Sequence, residues 1–310
     1  MDSNRPNRAD QGGNHACAVE SAGTPPAPAA SAPRTLPSRT GPSPGTPPSG
    51  SVPSVVPGRP RFAFVPVYLR NLLVWRKLAV ASVLGNIAEP LITLLAFGYG
   101  LGRLLEQVDG TPYITYLAAG SVCMSTAMAA SFEALYSAFS RMHVQRTWES
   151  ILNAPMTLSD VLVAEWLWAA TKGAFSGLAI LVVIFVLDIS RAPELLLLVP
   201  VIAMVGLTFA GIGLCFNALA RGYDFFTYYF TLVLTPMIFV SGVYYPREQL
   251  PDWISSWASA LPLALAVDVA RPLVLGRPPG EAWWHLVVLG VYACLGFALA
   301  SRLTRRRFAR

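Results

Sequence analysis

Six stretches of this 310-residue chain, at 78–102, 113–138, 161–187, 195–219, 225–245 and 282–301, are each apolar for long enough to cross a lipid bilayer. At 1.5 Å of rise per residue, a helix needs about 20 such residues to span a hydrocarbon core about 30 Å thick. Lipid offers no hydrogen-bond partner to backbone N–H and C=O groups, so a spanning segment is either a helix or a strand of a closed barrel. Barrel strands alternate polar and apolar residues over about ten positions, and a run such as LLLLVPVIAMVGL does not alternate. The expected fold is therefore an all-α membrane protein with six transmembrane helices. Pro90, Pro200 and Pro236 lie inside the spans, where neighbouring helices satisfy the carbonyls that proline frees, and they predict kinks.

Composition supports this class. Hydrophobic residues make up 54% of the chain, charged residues 13%, and the mean hydropathy is +0.50, a balance that ordinary soluble domains do not reach. Residues 1–60 are the exception, with 13 prolines, 8 serines and 7 glycines and hardly a large apolar side chain. Such a segment buries too little surface to offset its ordering entropy, so a disordered tail is expected there, followed by one membrane domain over 61–310. The four cysteines, Cys17, Cys123, Cys215 and Cys294, form no C-x-x-C pair and suggest neither a disulfide framework nor a zinc site.

The net charge of +6 raises the question of nucleic acid, but only two lysines exist, Lys77 and Lys172, and no solvated basic face is evident. The basic residues sort by loop instead. With the N-terminus in the cytoplasm, thirteen Arg and Lys residues flank the cytoplasmic ends of the spans and five the external ends. That asymmetry places both termini in the cytoplasm, and the charge reads as a topology signal and an attraction to anionic headgroups.

Two connections are more than hairpins. In SRMHVQRTWESILNAPMTLSD, between the second and third spans, Met142, Gln145, Trp148, Ile151 and Leu152 recur at helical steps, while Arg146 and Glu149 face another side. A short amphipathic helix at the cytoplasmic interface fits this pattern. The stretch 244–281 is too apolar for a mobile loop and too interrupted, by Pro251, Pro262 and Pro272, for a clean span. Short helices dipping into the outer leaflet are expected, with Trp253 and Trp257 at the interface.

No G-x-x-x-x-G-K-[ST] phosphate loop occurs, so the chain is not its own ATPase. No H-E-x-x-H occurs, and His15, His143 and His285 are scattered, so no metal, cofactor or catalytic residue is expected. Four ionisable residues lie within spans: Glu89, Glu133, Glu165 and Lys172. Each costs about 2.5–3.5 kcal/mol at mid-membrane. Glu133 and Glu165 lie close enough to the cytoplasmic ends to snorkel or to bond to the amphipathic loop. Glu165 and Lys172 are two turns apart, too far for direct contact, and should meet partners on other helices. Glu89, beside Pro90, is either a buried packing residue or a carboxyl facing a pathway.

The six spans, the amphipathic loop and the partly embedded segment before the last span together resemble the membrane subunit of an ABC-2 type exporter. NLLVWRKLAVASVLGNIAEP, LAAGSVCMSTAMAASFEALYSAFSRMHVQRTWESIL, AEWLWAATK and LPLALAVDVARPLVLG are similar to its nodulation protein J branch, permeases for lipo-oligosaccharides, over about residues 65–310. The branch carries a polar residue three places after the proline that precedes the sixth span; here Leu265 follows Pro262, and Arg271 is in place. The resemblance implies a coupling helix at about 141–160 that docks on a separate ABC-type ATP-binding subunit (NodI-like), present in two copies, through Arg141, Arg146, Trp148 and Glu149. It also implies an amphipathic interfacial helix at the basic start, Arg70 to Lys77, and a permease homodimer in the bacterial inner membrane. The route would run between subunits along the first, second and fifth spans, with Glu133 and Glu165 transmitting movement. Such a chain would export an amphipathic glycolipid, lipo-oligosaccharide or polysaccharide precursor without being an enzyme itself. The alternatives are a lipid-linked glycosyl or acyl transferase, for which the acids of the external segment are scattered, and an ion-coupled carrier using Glu89, Glu165 and Lys172. Carriers usually show internal repeats, and the two halves show no convincing similarity.

Overall fold

The structure, a computed structural model, describes residues 62–105, 107–108, 110–278 and 280–309, without the side chains at 81, 83, 86, 87 and 89. The segment expected to be disordered, 1–60, and the Glu89 side chain therefore lie outside the described residues.

The described chain is helical almost throughout. Helix α1 (Phe64–Arg76) is followed by α2 (Ala79–Leu95), which runs on through a π-helical turn, Ala96–Leu101. A two-residue antiparallel hairpin pairs Gln107 with Pro112 and Val108 with Thr111, turning at Gly110 with φ +70°. Helix α3 (Tyr113–Val144) contains π turns at Glu133–Ser137 and Ser140–Val144. The short helix α4 (Thr147–Leu152) and the long α5 (Leu158–Val186) follow. Then come α6 (Leu198–Leu219), α7 (Asp224–Val240), α8 (Asp252–Ala258), α9 (Pro262–Val274) and α10 (Trp283–Phe308).

Among the described residues, four helical segments are long and apolar enough to cross a membrane: Tyr113–Val144, Leu158–Val186, Pro193–Leu219 and Gly280–Phe308. They match the expected second, third, fourth and sixth spans. The other two expected spans are shorter apolar helices, Pro90–Leu105 and Asp224–Val240. The first starts at Pro90, inside α2, where the proline ring removes a backbone hydrogen bond and clashes with the preceding turn. The pair α8 and α9, bent by 84°, would raise the number to five if counted as one broken or re-entrant span. Short helices were expected in that stretch, and Trp253 and Trp257 are exposed on the first of them.

Helix α3 is the centre of the bundle: 83% of its apolar window is buried, against 17% for α10 on the periphery. Apolar helices in lipid gain little from excluding water, so close packing must hold them, and small residues permit it. A Cβ on Gly173 of α5 would lie 2.8 Å from the Thr126 carbonyl of α3, and one on Gly206 of α6 equally close to the Ala170 carbonyl of α5. Gly211 and Gly296 bring the backbones of α6 and α10 together in the same way. Polar side chains inside the bundle bond to carbonyls, as water would: Thr126 to Val122, Thr208 to Leu289, and Asn217 Nδ2 to Ala134.

The bundle has two distinct ends. At one lie α1, α4 and the C-terminal arginines: Arg70 reaches Thr147, Trp148 stacks on Phe308, and Arg305 donates to Ser159. Arg307 donates to the Asn217 and Ala218 carbonyls, supplying donors that the last turn of α6 lacks. We call this the basic end. The other end holds the hairpin and the 242–276 segment, where Tyr113 and Tyr116 donate to the Tyr244 and Gly242 carbonyls. Helix α7 runs between the two, from the stack of Tyr223 on Tyr136 to the contact of Phe239 with Tyr244. Its aromatic run at 225–230 turns Phe226 and Tyr229 fully inward against α3.

Candidate functional site

At the basic end three long side chains of α3 and α5 meet. Arg141, on the second π turn of α3, donates through Nε to both carboxylate oxygens of Glu165 at 2.9 and 3.1 Å, and its Nη2 closes on the same group. Its Nη1 donates to Glu133 Oε1 at 2.9 Å. Helical side chains tilt towards the N-terminus, which sends the Arg141 side chain back up α3 towards Glu133. π turns recur at functional sites, and here one holds each member of the Glu133–Arg141 pair.

Two indoles complete the carboxylates. Trp148 Nε1, from α4, donates to Glu165 Oε1 at 3.2 Å, and Trp168 Nε1 donates to Glu133 Oε1 at 2.7 Å. Lys172 Nζ lies 4.0 Å from Glu133 Oε2, donates to Ser82 of α2 at 2.6 Å and sits 5.5 Å from the Trp75 ring. Glu165 is 1% exposed and Glu133 6%. Two acids and two bases thus form a closed, charge-balanced cluster, the arrangement in which buried charge is tolerated.

The sequence-derived residues fall into three groups. Glu133, Glu165, Lys172, Arg141 and Trp148 are brought together. Both glutamates bond to the loop, and Glu165 and Lys172 find partners on other helices. Arg141 and Trp148, expected to meet a partner protein, are turned inward, because the charge and N–H they carry match carboxylates that lipid would not solvate. Arg146 and Glu149 project outward, with side chains 75% and 59% exposed. Arg146 adopts a left-handed backbone, φ 47°, which breaks the connection into two short helical pieces where one continuous helix was expected. Pro262 and Arg271 lie at the opposite end, Pro262 starting α9 and Arg271 closing it. The Arg271 guanidinium lies 3.8 Å from the Tyr116 ring centroid and donates to the Gly242 carbonyl, clamping the turn after α7.

Trp168, Trp75 and Ser82 belong to the cluster and were not anticipated. The signal for Trp168 was present: Glu165, Trp168 and Lys172 are three and four residues apart, one face of a helix. From the cluster a cleft runs along α2, α3 and α7 as two cavities of about 300 and 290 Å3. Gly85, Ala129 and Phe132 line both, and the second reaches Tyr244 at the far end.

A bundle of long apolar helices, cross-linked by buried ion pairs and ending in an arginine-rich face, defines a multi-pass membrane protein. The chain belongs to the ABC-2 type transporter family, whose model matches residues 64–275, and it is an ABC-2 type permease. It is 44% identical over 257 residues to nodulation protein J of Bradyrhizobium diazoefficiens, covering 83% of this chain and 98% of that one. It is 41% identical over 254 residues to nodulation protein J of Sinorhizobium fredii, covering 82% and 97%. To the inner membrane transport permease YadH of Escherichia coli it is 22% identical over 195 residues, 62% of this chain and 76% of the other. No solved structure matches it. Membership of this family implies an ATP-binding partner.

Proposed function

We propose that this chain is the permease subunit of an ABC exporter in the bacterial inner membrane, moving an amphipathic glycolipid, lipo-oligosaccharide or polysaccharide precursor outward. Its basic end and both termini face the cytoplasm, since basic residues concentrate there. The two shorter apolar helices, Pro90–Leu105 and Asp224–Val240, complete six crossings. ATP hydrolysis resides in a separate ABC-type subunit, similar to nodulation protein I and present in two copies, and two permease chains pair across the cleft of α2, α3 and α7.

The observation that carries this reading is the seating of the 140–152 connection. Its exposed face offers Arg146 and Glu149 to a partner, while its buried face is ion-paired through Arg141 to both helices that it joins. A push on α4 therefore reaches α3 and α5 together, because an ion pair with several hydrogen bonds between packed helices yields little. Arg141 and Trp148 act as linkage, and Arg146 and Glu149 as contact.

Co-expression with the ATP-binding subunit tests this assignment. Arg146→Ala combined with Glu149→Ala should lower co-purification of the partner while the permease stays folded, and undiminished association would remove the coupling role. Export by membrane vesicles should persist when membrane potential and proton gradient are collapsed with ATP retained. Loss of export under those conditions would point to an ion-coupled carrier.

A further inference from the structure

A third cavity, of about 240 Å3, lies on the other side of the ionic cluster, between α1, the start of α2, α3 and α5. We propose that it binds the phosphate headgroup of an anionic membrane phospholipid.

Its lining is rich in hydrogen-bond donors that protein acceptors do not match. Asn71, 4% exposed, accepts through Oδ1 from Arg70 at 3.3 Å, and its Nδ2 has no hydrogen-bond partner among the described residues. Trp75 Nε1, one turn further along the same face of α1, is also buried without a partner. Nearly all buried polar groups in folded proteins are paired, so two orphaned donors on one helix face, lining one cavity, point to an acceptor that the chain does not supply.

The charges facing the cavity agree. They are Arg70, Arg141, Lys172 and Glu133. Arg141 is committed to Glu133 and Glu165. Lys172 stands 4.0 Å from Glu133 and bonds to a serine hydroxyl. Among the described residues Arg70 bonds only to neutral oxygens, on Asn71 and Thr147, at 3.3 and 3.4 Å. The site as a whole is cationic, and a phosphodiester, with several acceptor oxygens and one negative charge, suits this mixture of guanidinium, ammonium, amide and indole donors.

The mouth of the cavity selects a lipid over a free anion. Val74 and Leu78, both in its lining, are 55% and 65% exposed, and Leu69 and Leu73 extend the apolar surface along α1. A headgroup held by the donors would lay its acyl chains against these side chains. Basic pockets between helices at the membrane surface hold anionic headgroups in this way.

The test uses the full chain purified in a neutral detergent and titrated separately with phosphatidylglycerol, phosphatidylcholine and inorganic phosphate. Bound lipid is read by native mass spectrometry and Tm by thermal unfolding. Phosphatidylglycerol should be retained and should raise Tm, and the other two should do neither. Arg70→Gln should weaken phosphatidylglycerol binding about tenfold, the loss of one charge-assisted hydrogen bond. Asn71→Leu should weaken binding similarly and leave the lipid-free Tm close to that of the parent, because removing the unpaired Nδ2 offsets the loss of the 3.3 Å bond that Oδ1 accepts from Arg70. Equal retention of phosphatidylcholine, an equal Tm shift with inorganic phosphate alone, or undiminished phosphatidylglycerol binding by both variants would overturn the proposal.

Discussion

Arg141 is the residue on which the basic end turns, since without it Glu133 and Glu165 keep, among the described residues, only two indole donors and a lysine 4.0 Å away. Arg141→Ala should lower stability by about 3–5 kcal/mol, the usual effect of stranding a buried charge. Arg141→Lys should recover only part of this, because an ammonium cannot reproduce the fork that spans both oxygens of Glu165. Thermal unfolding in detergent would decide it, and an unchanged Tm for Arg141→Ala would contradict the closed cluster. Gly120 is a second sensitive position, since a Cβ there would lie 2.8 Å from the Val243 Cα. Gly120→Ala should cost about 1–3 kcal/mol by overpacking and loosen the turn held by Arg271. At this scale the sequence disclosed which residues needed partners but not which partners they take. Glu133 and Glu165 stand out as acids in apolar runs. That one arginine serves both, from 24 positions before the second, follows from how α3 and α5 pack.

Among the elements, the helices were legible because hydropathy and helical rise are properties of a segment by itself. Where the third span is expected, at 161–187, an apolar helix of spanning length covers Leu158–Val186, and where the fourth is expected, at 195–219, one covers Pro193–Leu219. Asp160 explains the start of the former: its carboxylate accepts the Thr157 N–H at 2.9 Å, the capping-box arrangement. Asp160→Ala should cost about 1 kcal/mol, a smaller loss than at Arg141. Amide hydrogen exchange should rise in the first turn of α5 and not at its centre. Less legible was the connection before it, because periodicity carries no sign of a residue leaving helical geometry. The spacing of Met142, Gln145, Trp148, Ile151 and Leu152 suits one helix, and the left-handed Arg146 divides it.

For the whole molecule, the exposed faces matter. Leu84 on α2 and Leu232 on α7 are 65% and 67% exposed, beside the cleft, and Leu295 on α10 is 63% exposed in the helix packed against α6 and away from that cleft. If two chains pair across the cleft, a single cysteine at Leu232, with the native cysteines replaced, should form a covalent dimer in oxidised membranes. One at Leu295 should not. The opposite pattern would place the subunit interface on α10 and move the route with it.

By itself, the sequence determined that this is a multi-pass membrane chain, that its described part is helical and where most of those helices lie. Segment hydropathy sets the cost of leaving water, and no distant residue changes it. Tertiary structure decided which charges neutralise one another, which side chains of the 140–152 connection remain outside, and where unpaired donors gather beneath α1. Those outcomes depend on helices approaching closely enough for side chains far apart in sequence to meet, and glycines on α5, α6 and α10 fix that approach through contacts that no local pattern encodes.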